Sequence, residues 1–185
     1  MGTVSVVIPS WNTRDLLREC LASLAASSLV PQEVIVVDNG SRDGSAELVK
    51  REFPRAKLIH NAENLGYTRA TNQGLQGARG DYVLLFNADA RLEPAALARL
   101  VTFLDASAGY AAAAPQLRNP DGSLQRACMR FPKLATPLFF ATPLERWFPE
   151  SRELRRYFAR DFDYGLDADV EQPAVLGVDA PGGVA

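Results

Sequence analysis

The sequence predicts an α/β fold with a mostly parallel sheet, because short apolar runs alternate with helix-period segments through residues 1–115. Three of those runs, VSVVIPSWN (4–12), EVIVVDNGSRDGS (33–45) and DYVLLFNADA (81–90), each stop at a small polar loop. Loops at the carboxyl ends of parallel strands lie along one edge of a sheet, and such folds bind their ligands there. Asn87 and Asp89 fall on that predicted edge and offer hard oxygen ligands of the kind a divalent cation prefers.

Val4 to Pro9 reads as a buried strand. Asn12 or Thr13 can cap a helix to about Ser27, with Leu16, Leu17, Cys20, Leu21 and Leu24 at helical spacing. Glu33 to Asp38 forms the second strand, and Ser41 or Asp43 can begin a helix carrying Leu48, Val49 and Phe53. Lys57 to His60 is a third strand, Tyr67 to Ala78 a helix despite Gly74, and Asp81 to Phe86 a fourth, buried strand. Pro94 suits the first turn of a helix with Leu97, Leu100, Val101 and Leu104 on one face, and Tyr110 to Pro115 reads as a small-residue strand. Alternation at this interval implies right-handed crossovers between parallel strands.

A chain of 185 residues with 47% apolar content can bury one sizeable core, and no second full domain is expected. A net charge of −2 and a pI near 5.5, without any Lys/Arg block, leave no electrostatic footprint for nucleic acid. Cys20 in a helix and Cys128 in a loop-like stretch have no metal-ligand spacing and follow no basic-then-apolar leader. Reduced, unreactive thiols and a cytoplasmic location are therefore expected. No apolar run approaches a membrane span. Residues 131–158, FPKLATPLFFATPLERWFPESRELRRYF, mix large apolar side chains with Lys133, Arg146, Arg152, Arg155 and Arg156. Two readings of this stretch stay open: peripheral contact with the inner face of a membrane, or a covering flap or oligomer contact. Its prolines break any long amphipathic helix and favour the latter.

Four segments taken together, VSVVIPSWN, VIVVDNGSRDGS, NAENLGYTRATNQGLQGARGDY (61–82) and VLLFNADARLEP (83–94), resemble the inverting family-two glycosyltransferases, in particular rhamnosyltransferase-like members with the A-type fold. The resemblance lies in the first half of the chain. It implies a Rossmann-like nucleotide-diphospho-sugar transferase sandwich, with residues 1–120 as the donor-binding α/β domain and 121–185 as an irregular segment leading into an incomplete acceptor-side region. The implied reaction moves a sugar from a UDP- or dTDP-sugar to a hydroxyl of a glycan or lipid-linked acceptor with inversion, in cell-envelope or polysaccharide synthesis.

Displacing a nucleoside diphosphate from an anomeric carbon requires stabilising the charge that builds on the leaving phosphate, and a bound Mg²⁺ or Mn²⁺ does so directly. Asp89 is the expected metal ligand; Asn87 stands where the family usually has an acidic residue and would act through water or a hydrogen bond. The resemblance places the base and ribose at Asp38, Asn39 and Gly40, although Asp38 can instead cap or brace its loop. Pro9, Ser10 and Trp11 border the same nucleoside, and Trp11 can either offer an aromatic surface or pack in the core. Asn64, Gly66, Tyr67, Arg69, Asn72 and Gly74 match the stretch that in the family borders the diphosphate and sugar. Gly66 can equally serve only to turn into the helix, Gly74 to let that helix approach the sheet, and Arg69 to meet solvent. His60, the only histidine, ends a strand without a partner motif and reads as structural.

An inverting transferase also needs a base to take the acceptor's proton, and the family supplies an acidic residue well after the metal motif. No match to it is found. DFDYGLDADVE (161–171) reads as a solvated loop, and QPAVLGVDAPGGVA (172–185) resembles only the start of the next family strand. The expectation is a chain truncated or diverged before its acceptor half, with its catalytic base absent. A nucleotide-binding protein without turnover is the alternative reading. A sugar-phosphate nucleotidyltransferase ranks third, because PSWNTRDLL (9–17) is not a Gly-rich basic loop for a triphosphate.

Overall fold

The computed structural model describes residues 1–125, 127 and 129–160. Cys128, the acid-rich stretch 161–171 and the stretch 172–185 lie outside the described residues. The chain divides into two compact units, Met1–Ala111 and a second beginning at Ala112.

In the first unit, four strands, β1 (Val4–Ser10), β2 (Glu33–Asp38), β3 (Lys57–His60) and β4 (Tyr82–Leu85), alternate with α1 (Arg14–Ala25), α2 (Ser45–Glu52), α3 (Tyr67–Gly77) and α4 (Ala96–Ala106). All pairings are parallel and the sheet order is β3-β2-β1-β4. The chain steps outward in one direction from β1 to β3, then crosses to the other side of β1 for β4. That reversal marks the switch point where such sheets open a crevice at their carboxyl edge.

Strand β1 is central and buried along its whole length, which explains its unbroken apolar run. Val4, Val6, Ile8 and Val36 meet Leu17, Cys20, Leu21 and Leu24 of α1, Leu48 and Val49 of α2, and Leu97 and Val101 of α4 in one core. On the other face Ile35 and Val37 pack with Ala70 of α3. A Cβ on Gly74 would lie 2.3 Å from Val7 Cγ1, so the absence of a side chain there lets α3 sit against the sheet. Ser5 is also fully buried on this face, and its Oγ donates to Glu33 Oε1 at 2.7 Å while accepting from Gly80 N at 2.8 Å. The turn into β4 is anchored there.

Three expectations need correction. Residues 110–115 form no strand, and most of them are exposed, because small residues there find no partner to pack against. Pro94 precedes α4 instead of lying in its first turn, and its carbonyl accepts from Ser28 N at 2.8 Å. Strand β4 is the edge of the described sheet, not a buried strand: Val83 and Leu85 remain 41% and 49% exposed.

The second unit contains a two-stranded antiparallel ribbon, β5 (Leu117–Arg118) and β6 (Leu124–Gln125), and three short helices, α5 (Thr136–Phe139), α6 (Pro143–Trp147) and α7 (Arg152–Tyr157). Leu154 is fully buried, and the buried Thr136 hydroxyl donates to Glu153, whose other tie is an ion pair to Arg156 at 2.8 Å. As the prolines suggested, no long amphipathic helix forms among the described residues. Among the same residues no helix is long and apolar enough to cross a membrane.

Gly74→Ala should destabilise the fold by about 1–3 kcal/mol in spite of the better helix propensity of alanine, because its methyl collides with Val7. Adding Val7→Ala should recover part of that loss in a urea-denaturation double-mutant cycle; strictly additive losses would refute the contact.

Candidate active site at the carboxyl edge of the sheet

Because the four strands run the same way, Ser10, Asp38, His60 and Leu85 end on one edge, and the loops that follow them build the site. The loops after β1 and β2 are laced together. Asn12 takes a left-handed backbone (φ 52°), donates its N–H to Ser41 Oγ at 2.9 Å and accepts from Arg42 N at 2.9 Å. Asp43 accepts from Arg14 N at 2.8 Å with one oxygen and from Ser45 N at 3.1 Å with the other, so one carboxylate tends the starts of α1 and α2. Burial raises its pKa, but these hydrogen bonds and that of the Ser45 hydroxyl outweigh burial and leave it below the usual range. Pro9 and Ser10 are buried, the latter with its hydroxyl 2.9 Å from that of Thr13. Trp11 is 53% exposed, so of its two readings the structure removes core packing.

Asp38 is fully buried, with Oδ2 accepting from His60 Nδ1 at 2.7 Å. Its other oxygen, Oδ1, is buried without a hydrogen-bond partner among the described residues. Asn39 is buried as well and uses both ends of its amide. Its Nδ2 donates to Asn64 Oδ1 at 2.7 Å and to the Gly66 carbonyl at 3.3 Å; its Oδ1 accepts from Asn61 Nδ2 at 3.1 Å and Leu65 N at 3.0 Å. Gly40 has φ +76°, and a Cβ there would lie 2.7 Å from the Glu63 backbone. The close approach its glycine permits is therefore to the loop after β3.

Asn64 is part of this brace, and also accepts from Gly66 N at 2.9 Å as the chain turns into α3. Arg69 and Asn72 lie exposed on α3, and their side chains make no hydrogen bond or ion pair among the described residues. Beyond β4, Ala88 and Leu92 are buried and pin the loop, which turns Asn87 and Asp89 outward. Asn87 Oδ1 accepts from Tyr67 Oη at 3.2 Å, and the Asn87 carbonyl from Cys20 Sγ at 3.6 Å. Burial above all, and then the Asp89 carboxylate, push the Cys20 thiol up to about 12, consistent with an inert thiol. The Asp89 carboxylate is exposed and makes no hydrogen bond or ion pair among the described residues.

Among the described residues no group of three or more His, Cys, Asp or Glu side chains could enclose a metal ion. The open Asp89 carboxylate fits instead a hard cation that takes its remaining ligands from water and a diphosphate. The donor set thus suits a cation carried in with a ligand.

A parallel sheet crossed this way, with polar loops gathered at its switch point, has the A-type architecture of nucleotide-sugar transferases. The chain belongs to glycosyl transferase family 2, whose model matches residues 5–165. It is 35% identical over 102 residues to an uncharacterized glycosyltransferase, YibD, of Escherichia coli K12, covering 54% of this chain and 29% of YibD. It is 30% identical over 143 residues to the N-acetylglucosaminyl-diphospho-decaprenol L-rhamnosyltransferase of Mycobacterium tuberculosis, covering 70% of this chain and 46% of that enzyme. The chain thus spans less than half the length of either relative. Among solved structures it resembles the mannosyltransferase PcManGT of Pyrobaculum calidifontis in complex with GDP-Man and Mn²⁺ (29% identity, TM-score 0.57, covering 65% of this chain and 36% of that one). It shares its fold also with S. aureus TarS 1-349 in complex with UDP-GlcNAc (23% identity, TM-score 0.60, covering 70% and 38%).

Three contacts of the edge escaped sequence reasoning: buried Asn61 ties Asn39 to Gln73, Tyr67, expected only within the stretch bordering the diphosphate and sugar, reaches across to Asn87, and His60, read as structural, finds its partner in Asp38. For His60 the sequence offered only that two expected strands end on Asp38 and His60; the register that pairs these residues is seen in the structure. Asn39→Ala strips four hydrogen bonds from the loop after β3 and should cost about 1–3 kcal/mol of stability. Amide exchange of residues 61–66 should quicken more than that of β1; unchanged protection in that loop would refute the brace.

Proposed function

We propose that this chain forms the donor-binding part of an inverting glycosyltransferase, which passes a sugar from a UDP- or dTDP-sugar to a hydroxyl of a glycan or lipid-linked acceptor in cell-envelope or polysaccharide synthesis. One observation carries the reading: the open Asp89 carboxylate stands on the same strand-end edge as Trp11, His60 and the Asn39 brace. Family membership supports transfer chemistry, and the rhamnosyltransferase relative supports a lipid-linked acceptor. The similarity to PcManGT, whose complex holds GDP-Man and Mn²⁺, supports a metal-assisted donor site.

In this reading Asp89 holds a Mg²⁺ or Mn²⁺ together with the donor diphosphate, and Asn87 stays bonded to Tyr67. Bound there, the cation would offset the negative charge that gathers on the departing diphosphate. Trp11, Pro9, Ser10, Asp38, Asn39 and Gly40 shape the nucleoside side, while Asn64, Gly66, Arg69 and Asn72 border the diphosphate and sugar. Arg69 is suited to a phosphate because its guanidinium is exposed and uncommitted among the described residues. The acceptor's base is assigned to no residue of this chain.

Calorimetric titration with UDP and dTDP, each with and without Mn²⁺, tests the proposal. Binding should tighten at least tenfold with the metal, and Asp89→Ala should remove that gain while leaving the denaturation midpoint nearly unchanged. Metal-independent affinity that Asp89→Ala does not alter would refute the assignment.

A further inference from the structure

The side chain of Asp38 is sealed from solvent, so its carboxylate cannot meet a nucleobase while it holds His60. The half-exposed member of the pair is His60, whose side chain is 51% accessible. An ionised carboxylate only accepts hydrogen bonds, so the His60 tautomer that suits Asp38 Oδ2 carries its proton on Nδ1. In that tautomer Nε2 is an acceptor. Among the described residues nothing donates to that atom.

The pair is held firmly in place. Asp38 and His60 are register partners at the last rung of β2 and β3, and Asn61 N, from the next residue, donates to the Asp38 carbonyl at 2.9 Å. Three strand spacings, about 14 Å, separate the end of β3 from that of β4. An extended nucleoside diphosphate with its phosphates beside Asp89 lays its base toward the β2 and β3 ends.

We propose that His60 is a specificity-determining residue of the donor site: Nε2, kept as an acceptor by buried Asp38, takes a hydrogen bond from the ring N3–H of uracil or thymine. Cytosine carries a lone pair at N3 and is disfavoured there. This rests on the donor-binding reading above and names the atom that reads the base.

The test uses UDP and CDP, with Mn²⁺, on the full chain and on His60→Asn. Asparagine Nδ2 can replace Nδ1 as donor to Asp38, so the brace is kept while Nε2 is removed. The wild type should prefer UDP over CDP, and His60→Asn should weaken UDP about five- to tenfold with little change for CDP, so that the preference shrinks. A merely structural His60 would weaken both nucleotides alike, and an unchanged UDP-to-CDP ratio overturns the proposal. Because His60 is the only histidine, ¹⁵N-histidine spectra of the wild type give a second readout that needs no variant. The Nε2 resonance should move on adding UDP but not CDP, and an Nε2 signal that saturating UDP leaves unmoved overturns the assignment. If the folded wild type binds neither nucleotide, the donor-binding reading falls and this inference falls with it; binding of UDP with an unaltered ratio removes only the role of His60.

Discussion

The side chain of Asn39 ties the loop after β2 to the loop after β3, and the shape of the binding edge depends on that tie. A buried amide has two donors and an acceptor oxygen, and here each end of it is engaged by the stretch from Asn61 to Gly66. Removing the Asn39 side chain would break four hydrogen bonds at once, one of them to the buried Asn61 amide, which is why a single side chain can organise a whole loop. Gly40 completes the fit, since only a residue without a Cβ lets the two loops approach so closely.

Around this brace the edge separates into two kinds of residue. Ser10, Asp38, Asn39 and Asn61 are buried and hold geometry; Trp11, Arg69, Asn72, Asn87 and Asp89 are exposed, and are the side chains proposed to meet a ligand. The division follows from the sheet. Strand β1 is packed on both faces, so its last residues are fixed before the loop begins, and the loop after β4 is pinned by buried Ala88 and Leu92 beside its two outward-facing side chains. A site mounted in this way is largely formed before its ligand arrives, which lowers the ordering cost of binding.

Most of the first unit was legible from the sequence because its signals are local. Apolar runs such as VSVVIPS and EVIVVD report strands buried on both faces, and the spacing of Leu17, Cys20, Leu21 and Leu24 reports the buried face of α1. The loop carrying Asn87 and Asp89 was placed correctly on the edge for the same reason. What stayed hidden depends on neighbours far apart in sequence. The burial of Asp38 and its pairing with His60 follow from strand register across 22 residues, and the Tyr67 contact with Asn87 from the crossing of α3 over the sheet. Residues 110–115 misled because small apolar residues resemble a buried strand whether or not a partner strand exists to pair with them.

A nucleoside diphosphate binding along one preformed edge of the sheet would show in backbone ¹H–¹⁵N spectra recorded while UDP and Mn²⁺ are added, because these report every loop at once. Shifts should gather at residues 10–12, 38–41, 60–66 and 87–90, with the interiors of α2 and α4 unmoved. Shifts confined to the second unit, or no shifts at saturating ligand, would contradict it.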